Sequence, residues 1–118
     1  LPACKKSDKK QTTAEKIQSK WNVETDVIND HISDQDNIST YTGQPGDVVD
    51  FRADGKVYST IAGWSDTSAY TLSGDTKISI EGAATYDITT LTPNSFVLHD
   101  KENMGGSNFE EETLSLKK

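Results

Sequence analysis

The segment that decides the fold is SAYTLSGDTKISIEGAATYDITTLTPNSFVLHDK, residues 68–101. Apolar and polar residues alternate in each of its four short runs, and Ser-Gly-Asp, Gly-Ala and Thr-Pro-Asn separate the runs. A period of two residues is typical of a half-buried β-strand, whereas Gly, Pro, Asn and Asp favour turns. The segment therefore predicts four consecutive antiparallel strands joined by short turns.

The same pattern extends to both sides of this segment. Strand-like runs occur at WNVETDVI, VVDFRA, KVYSTIA and FEEETLSL. In the first run, alternation places Trp21, Val23, Thr25 and Val27 on one face. Ahead of it, TTAEKIQSKW predicts one short helix, because Thr12 and Glu15 have the spacing of a capping box.

Eight strands with no long crossover connection most simply close into a barrel, which also removes the exposed edges of the sheet. We therefore expect an all-β fold, an eight-stranded antiparallel up-and-down barrel with a short N-terminal helix. An open or sandwich-like sheet is the alternative. With 118 residues, of which 32% are apolar, the chain has the size of one domain with a thin core.

Charge is divided unevenly along the chain. Residues 1–20 carry six lysines and two acidic residues, whereas the remainder carries six basic and seventeen acidic residues. Phosphate binding needs a positive domain surface, so the acidic domain argues against a nucleic acid as partner. No apolar run approaches the length of a membrane-spanning helix, so membrane attachment would need another device.

The chain starts with LPAC, which contains its only cysteine. One cysteine cannot form an internal disulfide, so Cys4 is either a free thiol or a modified residue. The four residues resemble the lipobox of bacterial lipoproteins, and this resemblance implies lipid attachment at Cys4. Residues 1–11 would then be a lipobox remnant and a basic tether, followed by the barrel at 12–118. The expected location is the cell envelope, at the periplasmic or cell-surface face of a membrane.

The runs SKWNVE, DFRADGKVY, YTLSGDTKISI and YDITTLTPNSFVLH resemble those of small bacterial lipocalin-like domains, many of which are lipoproteins. The resemblance covers residues 12–117. It implies that the helix plugs one end of the barrel beneath Trp21, and that Phe51 belongs to the interior. In the family an arginine often packs on this tryptophan from the last strand. Because Arg52 is the only arginine here, Lys117 or Lys118 would replace it.

Alternate joins of an up-and-down barrel lie at the same end. The joins at 29–46, 63–67 and 103–107 are the longer ones, and they should gather at the end opposite the helix. Residues expected to line a ligand site there are Tyr41, Trp64 and Met104 at the opening, with Tyr58, Tyr70 and Tyr86 deeper. Trp64 lies in a Gly-Trp-Ser-Asp loop and is interpreted as a lid over the site.

Two functions fit such a barrel. An eight-stranded barrel is either filled by its side chains or holds one small ligand. We expect a membrane-tethered lipoprotein that binds a small apolar or amphipathic molecule. The alternative is a protein–protein interaction module with a filled barrel.

Catalysis, cofactors and metals are not expected. The sequence has no Gly-x-Ser-x-Gly elbow and no phosphate-binding loop, so we predict that the protein is not an enzyme. Asp30, His31, Asp34, Asp36 and Asn37 form an oxygen-rich cluster, but it lacks the glycine and the glutamate of an EF-hand loop. We interpret it as a solvated acidic loop. A monomer is expected.

Overall fold

The structure, a computed structural model, describes residues 11–118. It contains one helix, α1 (Thr13–Ile17), and nine strands. The strands are β1 (Lys20–Ile32), β2 (Gln35–Thr42), β3 (Val48–Phe51), β4 (Lys56–Ile61), β5 (Trp64–Ser73), β6 (Lys77–Ile80), β7 (Thr85–Leu91), β8 (Ser95–Gly105) and β9 (Asn108–Lys117).

The sheet closes on itself. Each strand from β3 to β9 pairs antiparallel with the next, and β9 pairs with β1. β2 and β3 pair with successive parts of one edge of β1, so nine strands occupy eight positions around the barrel. The predicted fold class, an eight-stranded antiparallel up-and-down barrel with a short N-terminal helix, is therefore confirmed.

Helix α1 and the first residues of β1 close one end of the barrel. The capping box is formed, because Thr12 and Glu15 each accept a hydrogen bond from the backbone N–H of the other. Ile17 and Trp21 are fully buried, and the Trp21 Nε1–H donates to the Ile17 carbonyl at 3.0 Å. Lys118 places its Nζ 4.7 Å from the centre of the Trp21 ring. The expected closure beneath Trp21 and its lysine partner are both present.

The core lies between this closed end and the middle of the barrel. Three aromatic rings form its centre: Phe96 contacts Trp21 at 5.4 Å and Phe51 at 5.5 Å between ring centroids. The other buried apolar residues are Ile17, Val23, Val49, Val57, Ile78, Tyr86, Leu98 and Leu116. Trp21 and Phe51 thus have the structural role expected of them.

The sequence prediction of a long connection after the first strand is wrong. Residues 29–46 are not one loop, because β1 continues to Ile32 and the chain returns as β2. Ser33 and Asp34 form the two-residue turn, with positive φ values of 53° and 63°. Most residues of β2 are exposed, on both faces of the strand. Its sequence, QDNISTYT, does not have the alternation of apolar and polar residues that predicts a half-buried strand, and the strand was therefore missed.

A β-bulge in β1 changes which side chains face the interior. The register with β9 shifts between Val23 and Thr25, so Glu24 is the extra residue. Beyond it Asp26, instead of the expected Thr25 and Val27, faces the interior, opposite Leu114. Gly43 lies against the bulge, and a Cβ atom there would come within 1.8 Å of the Val23 carbonyl oxygen.

The other two joins expected to be long are also tight turns. β5 begins at Trp64, directly after the turn residues Ala62 and Gly63, so 63–67 is mostly strand. β8 extends to Gly105, so 103–107 is the tip of a hairpin. These turns do lie at the end opposite α1, as predicted. What distinguishes the two ends is strand length rather than loop length.

Four strands extend beyond the barrel at that open end. The segments 26–32, 35–41, 99–105 and 108–113 form a sheet in the order β2-β1-β9-β8, which we call the projecting sheet. Its outer strands have no further partner in the sheet, because β7 pairs with β8 only as far as His99. At the tip, the Ser33 N–H donates to Asn108 Oδ1 at 3.0 Å and joins the two hairpins.

Candidate ligand site at the open end of the barrel

The barrel contains a cavity at its open end. Its volume is about 470 Å³, within the range of small-molecule sites. Side chains and turns from seven strands line it, so it lies in the mouth of the barrel and not on its outer wall. The lining residues are Asp26, Val49, Val57, Ser59, Ile61, Asp66, Ser68, Ile80, Glu81, Gly82, Ala83, Tyr86, Glu112 and Leu114.

Part of the cavity wall is aliphatic. Five of the lining residues are valine, isoleucine or leucine, and they come from β3, β4, β6 and β9. Val49 and Val57 are buried and also belong to the core, so the floor of the cavity is continuous with it. The walls can therefore contact an apolar molecule without further rearrangement.

One side of the cavity carries a carboxyl pair. Asp26 of β1 and Glu112 of β9 are hydrogen-bonded neighbours, and the buried Tyr86 hydroxyl donates to Glu112 Oε1 at 2.9 Å. Burial, reinforced by the hydrogen bond and the charge of Glu112, raises the pKa of Asp26 to about 7. Burial and the same carboxylate also raise the pKa of Tyr86. The second Asp26 oxygen, Oδ1, is buried without a hydrogen-bond partner.

The bulge at Glu24 explains why a carboxyl group occupies this position. Without the extra residue, the alternation of β1 would turn Asp26 outward and Val27 inward. Sequence reasoning missed Asp26 for this reason, and it missed Glu112 because FEEETLSL contains three consecutive acids. The bulge leaves no clear signal in the sequence.

The acidic surface continues from the cavity onto the projecting sheet. Directly paired residues of an antiparallel sheet point to the same face, and so do residues two apart on one strand. By this rule Asp30, Glu110 and Glu102 share a face with Asp26 and Glu112. Asp100, paired with Glu112, lies there too. A hydrogen bond with the Asp30 carboxyl group, followed by repulsion from its charge, raises the pKa of Glu110.

The three tyrosines expected inside the barrel have different positions. Tyr86 lines the cavity. Tyr70 packs edge-on against Phe51 at 5.3 Å near the closed end, and its hydroxyl donates to the Arg52 carbonyl. Tyr58 was wrongly placed, because it lies on the outer wall under the Arg52 guanidinium and donates to Asp54. β4 turns Val57 and Ser59 inward instead.

The three residues expected at the opening lie at the correct end, but none of them lines the cavity. Trp64 is 82% exposed and does not form a lid. Met104 is 55% exposed at the tip of β8, six residues beyond Leu98, which is about 20 Å of strand. The Tyr41 hydroxyl is directed to Asp47, which also accepts from the backbone N–H groups of Gln44 and Ala62.

The oxygen-rich cluster at 30–37 forms the β1–β2 hairpin. His31 pairs with Asp36 at 2.7 Å and stacks on Phe109, and Asn29 donates to the same carboxylate. Within residues 11–118, no group of three His, Cys, Asp or Glu side chains is arranged to hold a metal ion. Cys4, the expected lipid attachment site, lies outside the described residues.

Comparisons with protein-family models, curated proteins and solved structures find no match for this chain. In the described part of the chain, no helix has both the length and the apolar character needed to cross a membrane.

Proposed function

We propose that the protein is a binding protein that holds one small amphipathic molecule in the open end of its barrel. The observation that carries this proposal is the cavity of about 470 Å³, with aliphatic walls and a carboxyl pair on one side. Small-molecule sites combine such apolar walls with a few polar groups that orient the ligand. No set of residues in the described chain suggests a reaction, so binding is the activity that fits.

A membrane tether is part of the proposal. It rests on the resemblance of LPAC to a lipobox and on the basic, polar residues that follow Cys4. A lipid-modified cysteine with adjacent lysines would hold the barrel at an anionic membrane surface. The barrel would then present its cavity close to that surface, as a carrier or sensor of the cell envelope.

Binding of a neutral fluorescent probe tests the function. N-phenyl-1-naphthylamine should bind the wild-type protein with increased fluorescence. Ser68→Phe places a ring inside the cavity and should abolish binding, because Ser68 lines it from β5. Ser65→Phe is the matched control, since Ser65 lies on the outer face of the same strand and contacts Thr60. Equal binding by the two variants, or no binding by the wild type, would contradict the proposal.

Protein binding is the second candidate, and one observation favours it. The outer edge of β2 is unpaired over an exposed segment that contains Ile38, which is 64% exposed. Such an edge can accept a strand from another protein. A photo-crosslinking amino acid at position 38 should capture a partner in cells, whereas the same group at Thr89, on the barrel wall, should not. Equal labelling at both positions would exclude a role for the β2 edge.

A further inference from the structure

The carboxylates of the cavity have no cationic partner within it. Asp26, Asp66, Glu81 and Glu112 line the cavity, and no Lys, Arg or His is among the lining residues described. The neutral Tyr86 hydroxyl donates a hydrogen bond to Glu112 across the cavity. Paired carboxylates in a partly desolvated site normally require a positive charge or a shared proton.

One carboxylate oxygen has an unfilled hydrogen-bond requirement. Asp26 Oδ1 is buried and accepts no hydrogen bond, while its neighbour Glu112 faces the same space. Buried polar atoms nearly always have a partner, and an unpartnered acceptor therefore marks a place for a donor. An ammonium group supplies up to three N–H donors and a positive charge. It would donate to Asp26 and offset one negative charge of the pair.

The rest of the cavity indicates the other half of the ligand. Val49, Val57, Ile61, Ile80 and Leu114 form the aliphatic walls. A hydrated metal ion would gain nothing from such walls, whereas an alkyl or aryl group would be removed from water by them. A fatty acid would bring a fifth carboxylate into a site that already contains four, and like charges at short range repel.

The projecting sheet adds a field that favours cations. Its face above the cavity carries Asp30, Asp100, Glu102 and Glu110 in addition to the pair at the base. The basic side chain of this region, Lys101, lies on the other face, over the Phe109 ring at 4.2 Å. A surface lined by one sign of charge raises the local concentration of oppositely charged ligands and speeds their association.

We propose that the ligand of this cavity is an organic cation, a protonated amine on an apolar body, whose ammonium group binds to the carboxyl pair of Asp26 and Glu112. This inference rests on the proposed function, because it names the chemical class of the molecule that the barrel holds. The apolar body contacts the aliphatic walls, and the acidic face of the projecting sheet guides the cation inward.

Three probes with the same alkyl chain test the inference on the unmodified protein. Isothermal titration calorimetry with n-octylammonium, n-octanol and n-octanoate at pH 7.5 compares a cation, a neutral group and an anion. We expect octylammonium to bind at least about tenfold more tightly than octanol, and octanoate most weakly. Octanol binding as tight as that of octylammonium would overturn the inference but leave the proposed function standing. If no probe binds, the proposed function itself is wrong.

Variants locate the ammonium group. Glu112→Gln and Asp26→Asn each remove one charge with little change in shape, and should weaken octylammonium binding about tenfold with little effect on octanol. Glu24→Gln is the charge-matched control, because Glu24 is exposed at the bulge, two residues before Asp26. If the control loses as much affinity as the two cavity variants, only the net charge matters and the site assignment is wrong. Circular dichroism establishes that each variant is folded.

Discussion

The Tyr86 hydroxyl donates to Glu112 Oε1 at 2.9 Å and joins β7 to β9, two strands that are not neighbours in the sheet. The bond crosses the inside of the barrel mouth over β8. It holds the Glu112 carboxylate against Asp26, and it gives the buried Tyr86 hydroxyl its hydrogen-bond partner. One hydrogen bond thus fixes the geometry of the carboxyl pair.

Tyr86→Phe tests this bond. The variant keeps the ring, which is only 6% exposed, and removes the donor, so Glu112 is left with less compensation for its burial. We expect a loss of about 1–2 kcal/mol in the free energy of unfolding, measured with urea. Tyr58→Phe is the control, because Tyr58 donates to Asp54 on the exposed outer wall and should lose much less. Equal losses would show that the Tyr86 bond has no special role.

The raised pKa of Asp26 makes stability depend on pH. The pKa of Asp26 is about 7 in the folded protein and 3.8 in an ordinary aspartate, so between these values the folded protein holds a proton that the unfolded chain has released. The free energy of unfolding should therefore fall as the pH rises through this window. The free energy of unfolding of Asp26→Asn, minus that of the wild type, should be higher at pH 8 than at pH 5. Urea titrations at both pH values measure this difference. A difference that does not change with pH would show that Asp26 titrates normally.

The closed end of the barrel follows from the sequence because its signals are local or strongly apolar. Thr12 and Glu15 have capping-box spacing, and Trp21 follows the helix by a few residues. The final lysine reaches the Trp21 ring because β9 must pair with β1 to close the barrel. Alternation and turn residues identify the seven strands from β3 to β9, since each has one buried face.

The open end could not be predicted in the same way. Because β2 has no buried face, its sequence shows no hydrophobic periodicity that would predict a strand. Its place at the edge of the sheet follows from its pairing with the part of β1 that extends beyond the barrel. The bulge at Glu24 reverses the faces of β1 and brings Asp26 inside. Tyr58 is aromatic but lies outside, because the Arg52 guanidinium 3.8 Å from its ring centre replaces the core as its contact.

Asp47 links the corner between β2 and β3 to the β4–β5 turn. It is 5% exposed and accepts from the Tyr41 hydroxyl, the Gln44 N–H and the Ala62 N–H. These hydrogen bonds lower its pKa, so its contribution to stability is present above the ordinary pKa of 3.8 and is lost as the pH falls further. The decrease in melting temperature should be several times larger for Asp47→Ala than for the control, Asp54→Ala.

The comparison is informative because the two aspartates have similar partners. Asp54 also accepts from a tyrosine hydroxyl and a backbone N–H, but it is exposed to water. Loss of a buried acceptor leaves its donors unpaired, whereas water replaces an exposed one. Similar changes in melting temperature for the two variants would show that Asp47 does not hold the corner.

The proposed membrane tether at Cys4 can be tested directly. If the cysteine is acylated, as the LPAC resemblance implies, the natural protein should partition with membranes, and Cys4→Ser should move it to the aqueous fraction. Detergent phase partitioning and mass spectrometry of the N-terminal peptide measure the two effects. A wild-type protein that stays in the aqueous phase with an unmodified thiol would exclude the tether, without bearing on the cavity.

The two tryptophans provide a test of the whole arrangement. Trp21 is fully buried between Ile17, Phe96 and Lys118, whereas Trp64 is 82% exposed at the rim of the open end. Removing the buried ring leaves a cavity beside the helix, so Trp21→Ala should lower the free energy of unfolding by about 3–5 kcal/mol. Trp64→Ala should change it by less than about 0.5 kcal/mol, since its side chain contributes little burial.

The affinity for the probe gives a second test of where Trp64 lies. Because Trp64 does not line the cavity, Trp64→Ala should leave the affinity for n-octylammonium within about twofold of the wild type, in contrast to Glu112→Gln. Urea titration and calorimetry on the same two tryptophan variants measure both properties. A loss under 1 kcal/mol for Trp21→Ala would mean that the ring does not close the barrel. A large loss of affinity for Trp64→Ala would restore the lid that the sequence suggested, because Trp64 would then have to fold over the ligand.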